Sequence, residues 1–341
     1  MQTIENGLRL SVPGGVFYNP LMSPDRWLSA RVLEVLLPKG ADVLDLLCAS
    51  GARGLGYARA GFDVHLNDAS PTAVRAAKAN ARKNGLSCSF SCEEANRFIH
   101  ASKRRFDAVD CDPFGSPAQF LQHMFRVVKP GGLIFLTATD LGALEGAFPE
   151  TCFKRYGITS CATSFAPEMG CRNLIASAWL AGARFGRGVR PFLCYARRHY
   201  VRAFLQVSYS TKPDNIGWMS YCGKCEYRGT RKWSELPAVK CACGSALSWG
   251  GPTWTGTLGD AKIVRRLYEQ TGEPMLEVFS QECGIREPYY DLHAFARARG
   301  REAESTEAAI SRLRRRGCQV SRTIFSGHGV RTDAPVGKIS L

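Results

Sequence analysis

The sequence lacks any apolar run long enough to cross a lipid bilayer. Its first residues, Met1 to Asn6, do not form the basic-then-apolar pattern of a secretory signal. Internal repeats and low-complexity tracts are also absent, which argues against a solenoid and against a long disordered segment. Together these absences predict a cytoplasmic protein with no membrane partner.

Acidic residues are few relative to basic ones. There are 30 Asp and Glu against 45 Lys and Arg, which gives a formal net charge of +15. This excess favours nucleic acid as a partner over a membrane, because no basic amphipathic anchor is visible. A length of 341 residues with 45% hydrophobic residues suits two globular domains. Nothing in the sequence indicates an obligate protein partner.

The 14 cysteines divide into two groups. Ten are scattered, many within apolar strands, and are interpreted as small buried hydrophobic residues of a protein in a reducing compartment. The other four form the pairs Cys222-x2-Cys225 and Cys241-x-Cys243. This spacing predicts a structural zinc site, since four thiolates leave no open position for water. The compressed second pair leaves four free thiols as the alternative.

A buried strand at residues 43–47 precedes a loop of small residues that includes Ser50 and Gly51, and a helix follows. Such a loop lets backbone N–H groups and a helix N-terminus approach a ligand closely. The next strand ends in Asp68, near the spacing at which an acidic residue meets a ribose diol. This arrangement predicts a nucleotide-type cofactor at the carboxyl ends of the strands.

The same order of elements fits either a dinucleotide or S-adenosylmethionine, and several details favour the latter. The loop has only Gly51 and Gly54, and S-adenosylmethionine has no pyrophosphate that requires a glycine triplet. Asp45 lies just before the loop, where methyltransferases of this fold carry an acid facing the methionine end. Glu94 and Ala95 follow a candidate third strand at residues 87–91 and are placed to reach the adenine.

A fourth strand, at residues 106–111, ends in Asp112-Pro113-Phe114. This tripeptide suits the methylation of an exocyclic amine on a base. The Asp112 carboxylate can accept a hydrogen bond from the amine, Pro113 stiffens the loop, and Phe114 can stack on the ring. An ordinary Asp-Pro turn is the alternative for this motif alone. Four strand ends with polar residues at one edge of a parallel sheet favour a ligand crevice instead.

The rest of the sequence predicts further strands, a linker and helices. A fifth strand is predicted at residues 133–138, closing strands within 195–209, and a linker at 210–215. Helices are predicted over residues 73–81, 173–183, 262–269, 290–299 and 306–316. The last helix carries a basic cluster that is either a phosphate contact or a solvated face: Arg312, Arg314, Arg315 and Arg316.

Taken together, these motifs resemble those of the tRNA guanine-26 N2-dimethyltransferase family. The matching segments lie at residues 16–20, 49–54, 67–68, 112–117, 137–140, 154–157, 321–323 and 331–335. The combination of Asp-Pro-Phe-Gly-Ser-Pro at 112–117 with Thr-Ala-Thr-Asp at 137–140 is specific. The matches extend from near the N-terminus to the last ten residues, so the resemblance covers both expected domains.

The resemblance implies a class I S-adenosylmethionine methyltransferase of α/β, Rossmann-like fold that methylates guanosine 26 of tRNA once or twice at N2. Residues 1–211 would form the methyltransferase domain, and residues 212–341 a smaller α+β, tRNA-binding domain with the cysteine pairs. The implied cofactor-binding residues are Arg26, Arg53, Asp68, Glu94 and Ala95. Asp112 would hold and deprotonate the amine, and Phe17 and Phe114 would flank the flipped guanine.

Two positions depart from the family pattern. Arg26 stands in Pro-Asp-Arg-Trp, where the family usually has Asn-Arg-Asp, and Glu94 replaces the usual Asp. Three other functions stay open: an NAD-dependent oxidoreductase, a non-catalytic zinc-ribbon RNA-binding protein, and a methyltransferase for another tRNA guanosine. The absence of a dehydrogenase base argues against the first, and the intact Asp68 and Asp112 argue against the second.

Overall fold

The computed structural model of the protein describes residues 1–339. They form two compact units. The first comprises Met1–Leu136 and Gln206–Tyr209, and the second comprises Thr137–Leu205 and the described chain from Ser210 onward. Residues 137–205 thus fall in the second unit, whereas the sequence assigns them to the methyltransferase domain. The predicted domain boundary at residue 211 stays a prediction.

The strands of the N-terminal two thirds form a hairpin and one large sheet. The hairpin consists of β1 (Gln2–Glu5) and β2 (Leu8–Ser11). The sheet strands, in chain order, are β3 (Asp42–Asp45), β4 (Asp63–Asn67), β5 (Ser89–Ser91), β6 (Phe106–Cys111), β7 (Val128–Ala138), β8 (Gly188–Arg197) and β9 (Tyr200–Ser208). Their order in the sheet is β5-β4-β3-β6-β7-β9-β8.

The chain order reverses at β3, because β4 and β5 lie on one side of it and β6 and β7 on the other. All four pairings from β5 to β7 are parallel. The carboxyl ends of β3 and β6 therefore lie side by side at a topological switch point, where ligands of open α/β sheets bind. The predicted Rossmann-like α/β fold is confirmed.

Helices connect the parallel strands, as crossover connections in a parallel sheet require. The helices of the first unit are α1 (Ser23–Leu36), α2 (Ala52–Arg59), α3 (Pro71–Lys83), α4 (Ala95–Ala101) and α5 (Ala118–Val127), with a short 3-10 helix at Pro20–Met22. The second unit has α6 (Leu141–Leu144), α7 (Pro149–Tyr156), α8 (Ala166–Ala183), α9 (Ala261–Thr271), α10 (Pro274–Glu282), α11 (Leu292–Arg297), α12 (Thr306–Arg315) and α13 (Val336–Ile339). Over residues 1–339 no helix is both long and apolar enough to span a membrane.

Two small antiparallel sheets complete the second unit. The first consists of β10 (Ile216–Tyr221), β11 (Arg228–Lys232) and β12 (Ser248–Trp254), with β10 in the centre. The other consists of β13 (Tyr290–Asp291), β14 (Val320–Arg322) and β15 (Gly329–Thr332), with β15 in the centre.

Local sequence signals account for some element ends. Ser70 caps α3, since its hydroxyl accepts a hydrogen bond from the Ala73 N–H at 3.3 Å, and Pro71 occupies the first turn. Leu8 and Leu10 of the hairpin pack in one cluster with Leu55 of α2, which fixes the hairpin to the rest of the first unit.

Several predicted elements begin at other residues in the structure. Helix α8 begins at Ala166 instead of residue 173, and the closing strands begin at Gly188 instead of residue 195. Strand β7 begins at Val128 instead of residue 133, because Val128 already pairs with Phe106 and the residues up to Leu133 form a bulge. The helix predicted over residues 290–299 begins only at Leu292. Tyr290 pairs as a strand with Val330, and Asp291 is the helix N-cap.

Candidate active site

The loop after β3 turns back sharply onto helix α2. Ala49 and Gly51 both adopt left-handed backbone conformations, with φ of 46° and 82°. A Cβ atom at Gly51 would lie 2.9 Å from the Cβ of Ala77, so the close approach of α3 also requires glycine there. Ser50 is buried, and its carbonyl accepts a hydrogen bond from the Asn80 side chain at 3.0 Å. The loop backbone is therefore held rigidly at the switch point.

Asp68, at the end of β4, is hydrogen-bonded to this loop. Its Oδ2 accepts from the Ala49 N–H at 2.8 Å, and its Oδ1 accepts from the Ser70 N–H at 2.9 Å. Each carboxylate oxygen retains a further lone pair for a ligand. Asp68 thus fixes the loop and presents an acceptor at the same edge of the sheet.

Asp45 ends β3 and is almost completely buried. Its Oδ2 accepts a hydrogen bond from the Gly54 N–H of α2 at 2.8 Å. Burial raises the pKa of Asp45 to about 7, and the charge of Asp110, its register partner on β6, adds to the shift. A Cβ at Gly54 would lie 2.8 Å from the same oxygen, which explains the glycine.

Arg53 lies in the first turn of α2 and is surrounded by carboxylates. Its Nη2 contacts Asp112 Oδ2 at 2.5 Å, and its Nη1 contacts Asp25 Oδ2 at 2.9 Å and Asp110 Oδ2 at 3.8 Å. Burial opposes the charge on Arg53, but Asp112, Asp110 and Asp25 outweigh burial and raise its pKa. The Asp112 side chain, by contrast, is 26% exposed. The predicted amine acceptor therefore lies at the surface with a permanent cation behind it.

Phe17 and Phe114 lie together at the surface. Their ring centroids are 4.3 Å apart with an interplanar angle of 71°, an edge-to-face contact. The exposed fractions are 48% for Phe17 and 74% for Phe114, which are high for large apolar side chains. Since Phe114 is two residues from Asp112, the rings and the carboxylate belong to one surface site.

Other predicted cofactor residues have structural partners of their own. Arg26 forms a two-pronged ion pair with Glu5, at 2.7 and 2.5 Å, and donates to the Asn19 carbonyl at 2.9 Å. Glu94 is exposed and caps α4, and Ala95 behind it is buried. The structure thus brings Asp45, Ser50, Gly51, Arg53, Asp68 and Asp112 to the carboxyl ends of β3, β4 and β6. It places Glu94 and Ala95 after β5.

Comparison with known proteins gives the chain its family. The profile of the N2,N2-dimethylguanosine tRNA methyltransferase family matches residues 2–340. The chain belongs to this family. The tRNA (guanine(26)-N(2))-dimethyltransferase of Pyrobaculum aerophilum is 34% identical over 333 residues, which cover 96% of this chain and 88% of that protein. The protein of the same name from Thermococcus kodakarensis is also 34% identical, with 95% and 92% coverage.

A solved structure of the family has the same fold. Trm1 from Pyrococcus horikoshii, in complex with S-adenosyl-L-methionine, superimposes with a TM-score of 0.90 at 28% identity. The alignment covers 99% of this chain and 98% of that chain. The family resemblance and the fold class expected from the sequence are therefore confirmed.

The candidate site also contains residues that the sequence analysis did not predict. Asp25 and Asp110 flank Arg53, Glu5 pairs with Arg26, and the Tyr57 hydroxyl donates to Asp110. Only Asp110 gave a signal in the sequence, as an acid between the apolar residues Val109 and Cys111.

Two family motifs, at residues 137–140 and 154–157, contact each other in the second unit. Asp140, from the Thr-Ala-Thr-Asp motif, accepts hydrogen bonds from the Tyr156 hydroxyl at 2.6 Å and from Arg155 at 2.9 Å. These contacts are internal to the second unit and give both motifs a structural role there.

The four predicted metal-ligating cysteines come together next to the β10–β12 sheet. Cys222 and Cys243 have sulfurs 3.6 Å apart, Cys225 and Cys241 have sulfurs 3.5 Å apart, and all four lie within 4.8 Å of one another. Tetrahedral zinc with Zn–S bonds of about 2.3 Å requires sulfurs roughly 3.8 Å apart, so the arrangement fits. Gly244, at φ of 84°, makes the tight turn that the compressed Cys-x-Cys pair needs.

Proposed function

We propose that this protein transfers one or two methyl groups from S-adenosylmethionine to the exocyclic N2 amine of guanosine 26 in tRNA. Family membership supports this activity. The observation that carries it is the position of the Asp112 carboxylate beside two exposed phenylalanine rings, next to the loop at the switch point. The net charge of +15 suits a polyanionic substrate.

We infer that the cofactor is held by Arg26, Asp45, Ser50, Gly51, Arg53, Asp68, Glu94 and Ala95. The donor set fits the group, since Asp68 offers carboxylate lone pairs for a ribose diol and Asp45 offers a buried acid for a cation. The bound cofactor supplies an electrophilic methyl group on a sulfonium. The rigid loop positions it, so that orientation contributes much of the rate.

The contact with Arg53 defines the role of Asp112. An arginine at 2.5 Å favours the ionised carboxylate, which accepts a hydrogen bond from an N2–H of guanine. This bond directs the nitrogen lone pair at the methyl carbon. Transfer of the methyl group to N2 would break its bond to the cofactor sulfur and leave a neutral thioether, and Asp112 would take the proton that the positively charged N2 then loses. The carboxylate is thus a positioned acceptor that acts late in the reaction.

The two rings are suited to hold the plane of the guanine. The amine must leave the base stack to meet a methyl donor, and flipped bases are bound between aromatic side chains. Phe17 and Phe114 have the exposure that such a role requires. They contact each other in this structure, so they separate when a base enters between them.

We further propose a structural zinc at Cys222, Cys225, Cys241 and Cys243, tRNA contacts from residues 212–341, and a location in the cytoplasm. The sulfur distances support the zinc site. Arg314, Arg315 and Arg316 are exposed at the end of α12 and remain candidates for phosphate contacts. Arg312 is engaged by Glu304 and is not a candidate.

The deciding experiment maps methyl groups on tRNA. Purified protein, labelled S-adenosylmethionine and a tRNA transcript should give label in nucleotide 26, and a transcript with adenosine at that position should stay unlabelled. Label at a different guanosine would instead support the alternative substrate position. Asp112→Ala should lower the rate by about 10²–10⁴, the usual contribution of a positioned proton acceptor. Its cofactor affinity, measured by calorimetry, should stay close to that of the wild type.

A further inference from the structure

The outer face of the β10–β12 sheet carries aromatic rings that neither the candidate active site nor the cysteine cluster uses. Trp218 on β10 and Trp249 on β12 touch at a centroid distance of 5.4 Å and an angle of 89°. Trp249 is directly opposite Ser220, two residues from Trp218, so both rings share one face. Met219 and Tyr221, on the other face, are buried in the core.

Glycines provide the space in which these rings lie. A Cβ atom at Gly251 would lie 2.6 Å from the Trp218 ring. Likewise, a Cβ at Gly229 would lie 2.3 Å from the Tyr227 hydroxyl, so the exposed Tyr227 ring lies over β11. Gly229 is opposite Ser220 in the register and therefore belongs to the same face. The rings of Trp218, Tyr227 and Trp249 therefore lie on the same face of the sheet.

The charge around this surface is positive. Arg231 is the register partner of Trp218 and is exposed beside it. Between residues 216 and 254 the exposed charged residues are four basic and one acidic: Lys224, Arg231, Lys232, Lys240 and Glu235. The second acid of this segment, Glu226, is buried in an ion pair with Arg228 at 2.8 Å. A partner for this face should therefore be negatively charged.

We propose that the face formed by Trp218, Tyr227, Trp249 and Arg231 is a stacking surface for unpaired nucleotides of the tRNA substrate. The inference rests on the proposed function and adds a second RNA contact to it. Every nucleobase has a flat π face that stacks on aromatic rings, and its phosphate matches the arginine. Aromatic rings next to cations on an exposed sheet are the chemistry by which proteins bind single-stranded RNA.

The test measures tRNA affinity of full-length variants by filter binding. Trp218→Ala and Trp249→Ala should each weaken binding by about 5- to 150-fold, the range for one lost base–aromatic stack. Trp249→Phe keeps a ring and should bind nearly as the wild type does. Leu236→Ala, at a side chain 89% exposed in the same segment, is the matched control and should change nothing.

Salt dependence separates stacking from charge. The tryptophan variants should keep the wild-type slope of log affinity against log salt, because the rings neutralise no phosphate. Arg231→Gln should reduce that slope by about 0.7–0.9, as expected for one lost phosphate contact. A competing single-stranded oligonucleotide should displace tRNA from the wild type better than from Trp249→Ala.

Three results would overturn the proposal. One is unchanged tRNA affinity in both alanine variants, with zinc content and cofactor affinity intact. The second is a slope that changes in the tryptophan variants as much as in Arg231→Gln. The third is a change in sedimentation without a change in tRNA affinity, which would make the face a protein contact. Wild-type protein that fails to methylate guanosine 26 would count against the proposed function instead.

Discussion

Two carboxylates on neighbouring strands have opposite electrostatic surroundings. Asp45 is buried and faces the charge of Asp110, whereas Asp112 is partly exposed and contacts Arg53. The first therefore has a pKa of about 7, and the second is stabilised as an anion. Groups whose surroundings separate their protonation in this way usually have different tasks in a site. Under the proposed function, Asp45 would bind the cofactor and Asp112 would orient the amine.

Cofactor affinity should depend on pH through Asp45. The folded pKa of Asp45 lies above the ordinary aspartate value, so folding favours the protonated form, and this stabilisation is lost as pH rises through about 7. A cationic cofactor favours the ionised form, so its affinity should fall up to about tenfold per pH unit below 7. Calorimetry between pH 5.5 and 8 should show this fall in the wild type and none in Asp45→Asn. An identical pH profile in both proteins would remove Asp45 from the cofactor site.

The paired rings should govern the second methylation more than the first. A monomethylated amine has one hydrogen left to orient it, so a base that is held loosely reacts poorly the second time. Phe17→Ala or Phe114→Ala should therefore accumulate monomethylguanosine, measured by nucleoside mass spectrometry. Phe153→Ala, which removes a 63% exposed ring from the second unit, serves as the control. The wild-type product ratio in both site variants would contradict the paired-ring arrangement.

The sequence predicted where the acidic residues of the candidate site lie in the fold, but it did not predict which side chains form ion pairs there. Asp68 and Asp112 each follow a strand, and parallel strands place their ends at one edge, so the sequence located both. Arg53 and its partner Asp112 are separated by 59 positions in the sequence. Arg26 and its partner Glu5 are separated by 21 positions. No periodicity encodes such pairs, since they depend on how α1 and α2 pack.

At the scale of elements, the cysteine-bearing turns show how a short motif forms a site. Cys222 and Cys225 follow β10, and the turn that holds Cys241 and Cys243 is closed by hydrogen bonds between Cys241 and Ser245 and from Gly244 to Cys241. A hydrogen bond from the Ser245 N–H lowers the pKa of Cys243 to about 6, which favours its thiolate. Thiolates are the form that binds zinc.

Freshly purified protein should therefore contain about one zinc per chain, because four-thiolate sites bind tightly. Cys243→Ala should lose the metal and lower the thermal stability of the second unit, as measured by elemental analysis and calorimetry. Cys92→Ala is the matched control, since Cys92 is exposed and lies outside the cluster. Full stability in metal-free wild-type protein would contradict a structural role for zinc.

Element boundaries were less predictable than the elements themselves. Lys129-Pro130-Gly131-Gly132 has the composition of a turn, yet it is a bulge inside β7 because the strand pairs on both sides of it. Tyr290 pairs as a strand with Val330, forty positions away, although the sequence prediction placed it in a helix. In both cases the strand is defined by non-local pairing that the local sequence does not show.

At the scale of the whole molecule, a buried ionic network joins distant parts of the second unit. Arg331 contacts Glu168 at 2.8 Å and Glu282 at 2.7 Å, and Arg172 contacts Glu168 at 2.7 Å. All four side chains are essentially inaccessible to solvent. Burial favours the protonated form of Glu168, but Arg331 and Arg172 outweigh it and lower the pKa of this carboxyl.

Removal of the shared arginine should strongly destabilise the protein. Arg331→Met leaves Glu282 without its ion pair and Glu168 with one arginine, at a cost of about 3–5 kcal/mol in the free energy of unfolding. Arg322→Ala, which breaks a surface ion pair with Glu307, should cost about 1 kcal/mol or less. Denaturant unfolding measures both. If both variants lost a similar amount of unfolding free energy, the buried network would contribute no more to stability than a surface ion pair.

The contact between Phe17 and Phe114 has a consequence for substrate choice. With their centroids 4.3 Å apart, the rings leave no gap for a third aromatic plane, so entry of a base must first break an interaction worth about 0.5–1.5 kcal/mol. For a free nucleoside, only its concentration in solution drives binding against this energy cost. For a nucleotide of a bound tRNA, tethering raises the effective concentration at the rings, so the same energy cost is overcome more easily. Under the proposed function, the closed rings would therefore favour guanines delivered on a bound RNA over free nucleosides and nucleotides.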